Sequence, residues 1–190
     1  MIRCLFIDEE KRYYSFQHSS AFGLLKSFIL DEMGYDISEA DIFEEQLGKP
    51  YFKGFDGLHF NLSHTKGLCC CIIGDRRCGI DCELIRNYRE NTIRRVFTDS
   101  EAEWFQCLDE SEKPFYFFLL WTLKEAYGKF TGNGIADMKN VCFSLDGEHI
   151  ISDKPQLHFC VYRAGDYLIS ACSESSDLFE SDCGELLYIS

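Results

Sequence analysis

Two carboxylates, Asp81 and Glu83, stand two residues apart in a strand-like run from Cys78 to Leu84. Side chains alternate across a strand, so both acids leave the same face. Two like charges held together cost energy unless a cation lies between them or one carboxyl keeps its proton. The pair therefore reads either as ligands for a metal ion or as a solvated sheet face. A second group of charges falls in residues 121–129. At 100° per residue, Trp121, Lys124, Glu125, Gly128 and Lys129 form one helix stripe, while Phe115, Phe118, Leu119, Thr122 and Ala126 form an apolar one. Two cations and a carboxylate thus sit on a helix that is otherwise apolar nearly all round. Charges on such a helix need a partner, a metal or a ligand. The plainer alternative is a Glu125–Lys129 salt bridge one turn apart.

Other candidates carry less by themselves. Glu101 follows Thr98 at the capping-box spacing, which is a structural role. Lys49 lies between Gly48 and Pro50, and the proline holds it extended on a stiff loop. Ser63 and His64 end an alternating run from Phe60. A nucleophile and base would need a third partner and an oxyanion hole, and no nucleophile elbow is present. Lys26 lies off the apolar face of its helix and reads as a surface lysine.

The elements that must position these residues follow from periodicity and turn chemistry. A first strand is expected over residues 3–8, broken by Asp8, Glu9 and Glu10, and a helix over 19–33 with Gly34 as its cap. Residues 38–47 suggest a short acidic helix, and 48–50 a turn. Residues 68–73 form a buried strand, expected to pair as a hairpin with the Asp81 strand across a turn at 74–77. Helices follow near 98–108 and from Ser111 and Pro114 onward, then a mobile-looking loop at 131–134. Strands at 141–145, 157–162 and 167–172 close the chain, and an acidic tail from 174 is expected to be loosely held.

The chain has 190 residues, 46% of them apolar and 15% aromatic, enough for one packed unit or two small halves sharing a core. Its longest apolar run is far too short to span a bilayer, and the first residues read as a strand rather than a signal peptide. Eleven cysteines, an odd count without a Cys-x-x-Cys pair, read as buried free thiols rather than disulfides or a zinc site. These features point to a soluble, cytoplasmic protein. A net charge of −13 argues against nucleic acid. Against that balance, residues 86–95 hold four arginines and one acid, a local net of +3.

Gly79-Ile80-Asp81-Cys82-Glu83, followed by Trp121-Thr122-Leu123-Lys124-Glu125-Ala126-Tyr127-Gly128-Lys129, resembles the two signature motifs of 4′-phosphopantetheinyl transferases. The resemblance extends to Gly48-Lys49-Pro50, to residues 60–64 and to Phe97-Thr98-x-x-Glu101. The length and Trp121 look like the larger, monomeric Sfp-type branch. The resemblance implies an α+β fold of two similar halves, residues 1–77 and 78–190, related by a pseudo-twofold with the active site in the cleft between them. It implies transfer of the phosphopantetheine arm of coenzyme A to a serine of an acyl, peptidyl or polyketide carrier protein, with release of 3′,5′-ADP.

Asp81, Glu83 and Glu125 would then hold Mg²⁺, and Glu125, or Glu101 through water, would take the serine proton. Lys124 and Lys129 would sit on phosphates, with Lys129 supporting the departing ADP. Ser63 and His64 would hold coenzyme A phosphates, Lys49 its nucleotide end, and Lys26 is the one equivalent of the family's 3′-phosphate cations. Membrane and nucleic acid are not expected partners. Two other classes remain: a non-catalytic relative that binds carrier protein or coenzyme A, and a Mg²⁺-dependent nucleotide pyrophosphohydrolase.

Overall fold

A computed structural model describes residues 1–7, 14–46, 48–55, 57–147, 149–181 and 183–189. The acids at 8–10 and Leu47, named above at element boundaries, lie outside the described residues. The elements in order are β1 (Ile2–Phe6), α1 (Tyr14–Met33), β2 (Ile42–Glu44), β3 (Pro50–Phe52), β4 (His59–Thr65), β5 (Leu68–Gly74), β6 (Cys78–Leu84), α2 (Glu90–Val96), α3 (Asp99–Gln106), α4 (Lys113–Thr131), β7 (Phe143–Asp146), β8 (His149–Ser152), β9 (His158–Ala164), β10 (Tyr167–Ser173) and β11 (Glu185–Ile189). The class is mixed α and β. One sheet runs β1-β5-β4, a second β6-β10-β9-β11-β8-β7, and β2 and β3 form a small ribbon.

Period-2 alternation explains how the two larger sheets stack. On β5, Cys69, Cys71 and Ile73 meet Ala21, Leu25, Phe28 and Ile29 of α1. Leu68, Cys70 and Ile72 face the other way, onto Cys78, Ile80 and Cys82 of β6 and Ile169 and Ala171 of β10. An unbroken apolar run is what a strand covered on both faces requires. Leu119, Leu123 and Ala126 of α4 are fully buried over the far side of the second sheet, and a buried leucine of this kind contributes roughly 1.5–3 kcal/mol.

Several expectations are corrected. β5 does not form a hairpin with β6; it pairs with β1 and β4, while β6 pairs with β10. Residues 74–77 instead carry the chain from one sheet to the other, because Arg77 is anchored on the end of α4. Residues 38–47 are not a helix. Asp41 accepts from the Ser38 amide at 2.8 Å to close a single 3-10 turn. Ile42 and Phe43 then pair across with Phe52 and Tyr51, as β-branched and aromatic residues favour. α1 begins five residues earlier than expected and ends as expected, with Gly34 left-handed at φ 73°.

The loop expected at 131–134 is tied down. Gly132, at φ 87°, caps α4, and a 3-10 stretch Gly134–Asn140 follows. The acidic tail is also held, since Leu178 and Phe179 are buried and β11 is an inner strand of the larger sheet. That return brings Cys183 to Cys4, where the two form a disulfide with Cα atoms 5.3 Å apart. The all-thiol reading therefore fails for this pair, although seven of the nine free cysteines are buried as expected. Among the described residues no helix is long and apolar enough to cross a membrane.

Candidate active site

β4 and β6 are edge strands of different sheets, and polar side chains join them in place of a ladder. Asn61, Ser63 and Thr65 share one face of β4. Asn61 Oδ1 accepts from the Ile80 amide at 2.9 Å, and Ser63 Oγ accepts from the Cys82 amide at 3.2 Å. Ser63 Oγ donates to Asp81 Oδ1 at 2.8 Å, and Thr65 Oγ1 donates to Glu83 at 3.1 Å. The two acids of β6 are thereby fixed from one side.

From the other side comes α4. A Cβ at Gly79 would strike the Ala126 carbonyl and the Phe130 amide, so glycine lets the strand and helix backbones touch. Trp121, Glu125 and Lys129 recur every four residues and are the partly exposed positions of an otherwise buried segment. The Lys129 ammonium donates to Asp81 Oδ1 at 2.7 Å, Ser63 Oγ at 2.9 Å and the Ile80 carbonyl at 3.0 Å. Burial opposes that charge, but the contact with Asp81 outweighs it and holds Lys129 above the ordinary lysine value.

Asp81 Oδ2 is buried and has no hydrogen-bond partner. An orphaned carboxylate oxygen is costly, and a cation removes the cost. Glu125 belongs to the same field. Burial, then the charge of Asp81 and that of Glu83, push its carboxyl up to about 7 against the pull of Lys129. Burial and Asp81 also raise Glu83, opposed by a 2.7 Å bond from Arg86. Among the described residues no three His, Cys, Asp or Glu side chains are gathered as a ready-made metal site. The donor set nonetheless suits a hard divalent ion: three carboxylates, one with a free buried oxygen.

The remaining candidates disperse. His64 lies on the opposite face of β4 from Ser63 and borders a cavity of about 520 Å³ shared with His18, Phe22, Glu39, Glu44 and Phe60. Burial, with Lys129 nearby, lowers its imidazole. Lys26 is one turn beyond Phe22, outside that lining, with its ammonium 2.7 Å from Asp36. Lys124 turns into the core, donating to the carbonyls of Met138 at 2.9 Å and Val141 at 2.6 Å and pairing with Glu101 at 2.8 Å. Its pKa is lowered by burial against the charge of Glu101. Glu101 also accepts from the Phe143 amide at 2.9 Å and closes the capping box through the Thr98 amide at 2.8 Å. Lys124, expected on phosphates, and Glu101, expected as a base through water, thus pair with each other, and the bonds they make go to α3, the Met138 turn and β7 rather than to the acids of β6. Lys49 is only 5% exposed and gives two of its three donors to the carbonyls of Cys78 and Lys129, each at 2.7 Å.

Sequence reasoning missed Asn61, Thr65, Arg77 and Arg86. The polar alternation through residues 61, 63 and 65 carried a signal for the first two; Arg86 showed only as part of the basic window 86–95, and Arg77 had no signal. A groove of about 280 Å³ beside Glu83 is lined by Arg86, Tyr88, Arg89, Phe117 and Trp121.

Residues 77–172 match the 4′-phosphopantetheinyl transferase superfamily. The 4′-phosphopantetheinyl transferase HetI of Nostoc sp. (strain PCC 7120) is 34% identical over 144 residues, covering 70% of this chain and 61% of that protein. The 4′-phosphopantetheinyl transferase Sfp of Bacillus subtilis (strain 168) is 28% identical over 142 residues, covering 73% and 63%. Another 4′-phosphopantetheinyl transferase of Bacillus subtilis is 26% identical over 162 residues, covering 81% and 72%. The chain therefore spans less than two thirds of HetI and of Sfp.

Proposed function

This chain belongs to the 4′-phosphopantetheinyl transferase superfamily, and on that premise we propose that it transfers the phosphopantetheine arm of coenzyme A to a serine of a carrier protein. The observation that carries the proposal is the orphaned Asp81 oxygen set among Glu83, Glu125 and Lys129. A pyrophosphate with its counter-ion is the kind of ligand that three carboxylates and an ammonium share.

The serine oxygen attacks phosphorus, the bond to the bridging oxygen breaks, and 3′,5′-ADP departs. Asp81, Glu83 and Glu125 are proposed to hold Mg²⁺, which would supply charge neutralisation at the pyrophosphate. Glu125 is the proposed acceptor for the serine proton, as the carboxylate that α4 presents to the acids of β6 beside Lys129. Lys129 is proposed to neutralise charge on the departing ADP, held in place by Asp81 and Ser63.

The groove beside Glu83 that holds Trp121 is proposed to take the carrier, and the His18–His64 cavity, on the other face of β4, the nucleotide end of coenzyme A. We place the site between halves 1–77 and 78–190 of a pseudo-twofold fold, with β4 contributed by the first and β6 and α4 by the second. The protein is proposed to act as a cytoplasmic monomer, where its substrates are made; the Cys4–Cys183 bridge is the feature that points the other way.

Mass spectrometry of a carrier protein incubated with this protein, coenzyme A and Mg²⁺ tests the reading. Carrier that gains a phosphopantetheine supports it. Coenzyme A cleaved without an acceptor would make the protein a pyrophosphohydrolase, and binding without turnover would make it a non-catalytic relative.

A further inference from the structure

The last four carbonyls of an α-helix have no partner inside the helix. In α4 they belong to residues 128–131. Gly132 N–H reaches the Gly128 carbonyl at 3.0 Å. The other three are taken by two cations from outside the helix. Lys49 donates to the Lys129 carbonyl at 2.7 Å, and Arg77 donates to the Phe130 carbonyl at 2.6 Å and the Thr131 carbonyl at 3.1 Å. Cations at this end also meet the negative pole of the helix. Glu45 holds the Arg77 guanidinium in a two-pronged pair at 3.0 and 2.9 Å.

The second bond of Lys49 gives the clasp a bearing on chemistry. Its ammonium also donates to the Cys78 carbonyl, which opens β6 three residues before Asp81. One side chain therefore grips the backbone of Lys129 and the root of the strand that carries Lys129's partner. We propose that Lys49, supported by Arg77 and Glu45, is a positioning residue that sets the Lys129–Asp81 contact by fixing the last turn of α4 against β6.

The inference rests on the transferase reading for its consequence, though not for its geometry. It differs from a nucleotide-binding role in that two of the three Lys49 donors go to carbonyls inside the seam. Burial lowers the Lys49 pKa to about 8, and it keeps two short bonds there despite that cost.

The test replaces the donor while keeping the stem, Lys49→Met. Turnover is expected to fall about tenfold to a hundredfold, the scale of a misplaced catalytic group, with KM for coenzyme A changed less than about twofold. A raised KM with turnover intact would overturn the proposal in favour of nucleotide binding, and so would unchanged kinetics. A second readout needs no activity. Modification of Lys129 by an amine-selective ester, followed by peptide mass spectrometry, should speed up several-fold in Lys49→Met as the Asp81 contact loosens. An unchanged rate overturns the clasp. If the wild-type protein transfers nothing, the transferase reading fails while this labelling still judges the clasp. Should Lys49→Met not fold, Arg77→Gln frees two of the carbonyls and leaves Lys49 in place. Faster Lys129 labelling in that variant supports the proposal, and wild-type labelling overturns it.

Discussion

The Lys124 ammonium lies 2.8 Å from the Glu101 carboxylate, with 0% and 1% of the two side chains exposed. Lys124 is the neighbour of Glu125, yet the two do opposite work. A step of about 100° along α4 turns one residue into the core and leaves the next facing the acids of β6. The buried pair joins α3, α4, the Met138 turn and the start of β7.

Breaking that pair should cost stability rather than substrate affinity. Lys124→Met leaves Glu101 buried without its cation, a loss of about 3–5 kcal/mol. Urea unfolding measures it. Adding Glu101→Gln should recover part of the loss, because the two positions are coupled. A phosphate-binding Lys124 would instead raise KM for coenzyme A and leave the unfolding curve alone.

The metal prediction follows from Asp81. Mg²⁺ should raise the melting temperature of the protein and shift the wild type far more than Asp81→Asn. Binding at a hundred times Kd would stabilise by about 2.7 kcal/mol. Replacing Asp81, Glu83 or Glu125 by Ala should each cut transfer by at least about a hundredfold. Full activity in excess chelator would end the metal proposal.

Glu125 gives the protein a pH dependence of stability with a definite sign. Its carboxyl is held up to about 7 in the fold, while an unfolded glutamate titrates near 4.3. Between those values the native state binds more protons than the unfolded chain, so stability falls as pH rises. The contribution is complete below the unfolded value and lost on passing about pH 7. The melting temperature of metal-free protein should therefore fall more steeply across this window in wild type than in Glu125→Gln. Mg²⁺ should restore it on the alkaline side by holding Glu125 ionised.

The motif residues show where sequence is informative. Strand alternation placed Asp81 and Glu83 on one face, and helix period placed Glu125 and Lys129 together, because both rules are local. Lys124 and Lys49 escaped the same reasoning. A lysine's partner is chosen by what packs against it, here carbonyls 14, 17, 29 and 80 residues away. The β5–β6 hairpin failed for a related reason. Residues 74–77 look like a tight turn, but Arg77 is bound to the far end of α4, and no short-range rule contains that contact. The disulfide between Cys4 and Cys183 spans 179 positions and is equally invisible locally.

Lys129 should separate catalysis from stability. It touches Asp81 and Ser63 but is only partly buried, so Lys129→Ala should lower turnover far more than melting temperature. Comparing kcat with a thermal melt of the same sample checks this. A salt bridge of purely structural value would instead lose stability and spare turnover.

The final prediction concerns the carrier protein. A chain at −13 repels an acidic partner at long range, and the arginines of residues 86–95 are the local exception. They do not act as one patch. Arg86 is spent on Glu83 at 2.7 Å and stacks 4.8 Å from the Phe118 ring. Arg89 is exposed at the groove that holds Trp121, while Arg94 borders a separate cavity with Lys113 and Lys139. Of these three, Arg89 alone has an unspent position at the mouth beside the acids proposed to bind the metal. Arg89→Glu should raise the apparent KM for carrier protein, leave KM for coenzyme A nearly unchanged, and lose its effect as salt screens the charge. Arg94→Glu should do much less. Equal effects of the two reversals would point to net charge alone, and no effect of either at low salt would move docking onto the aromatic floor formed by Tyr88, Phe117 and Trp121.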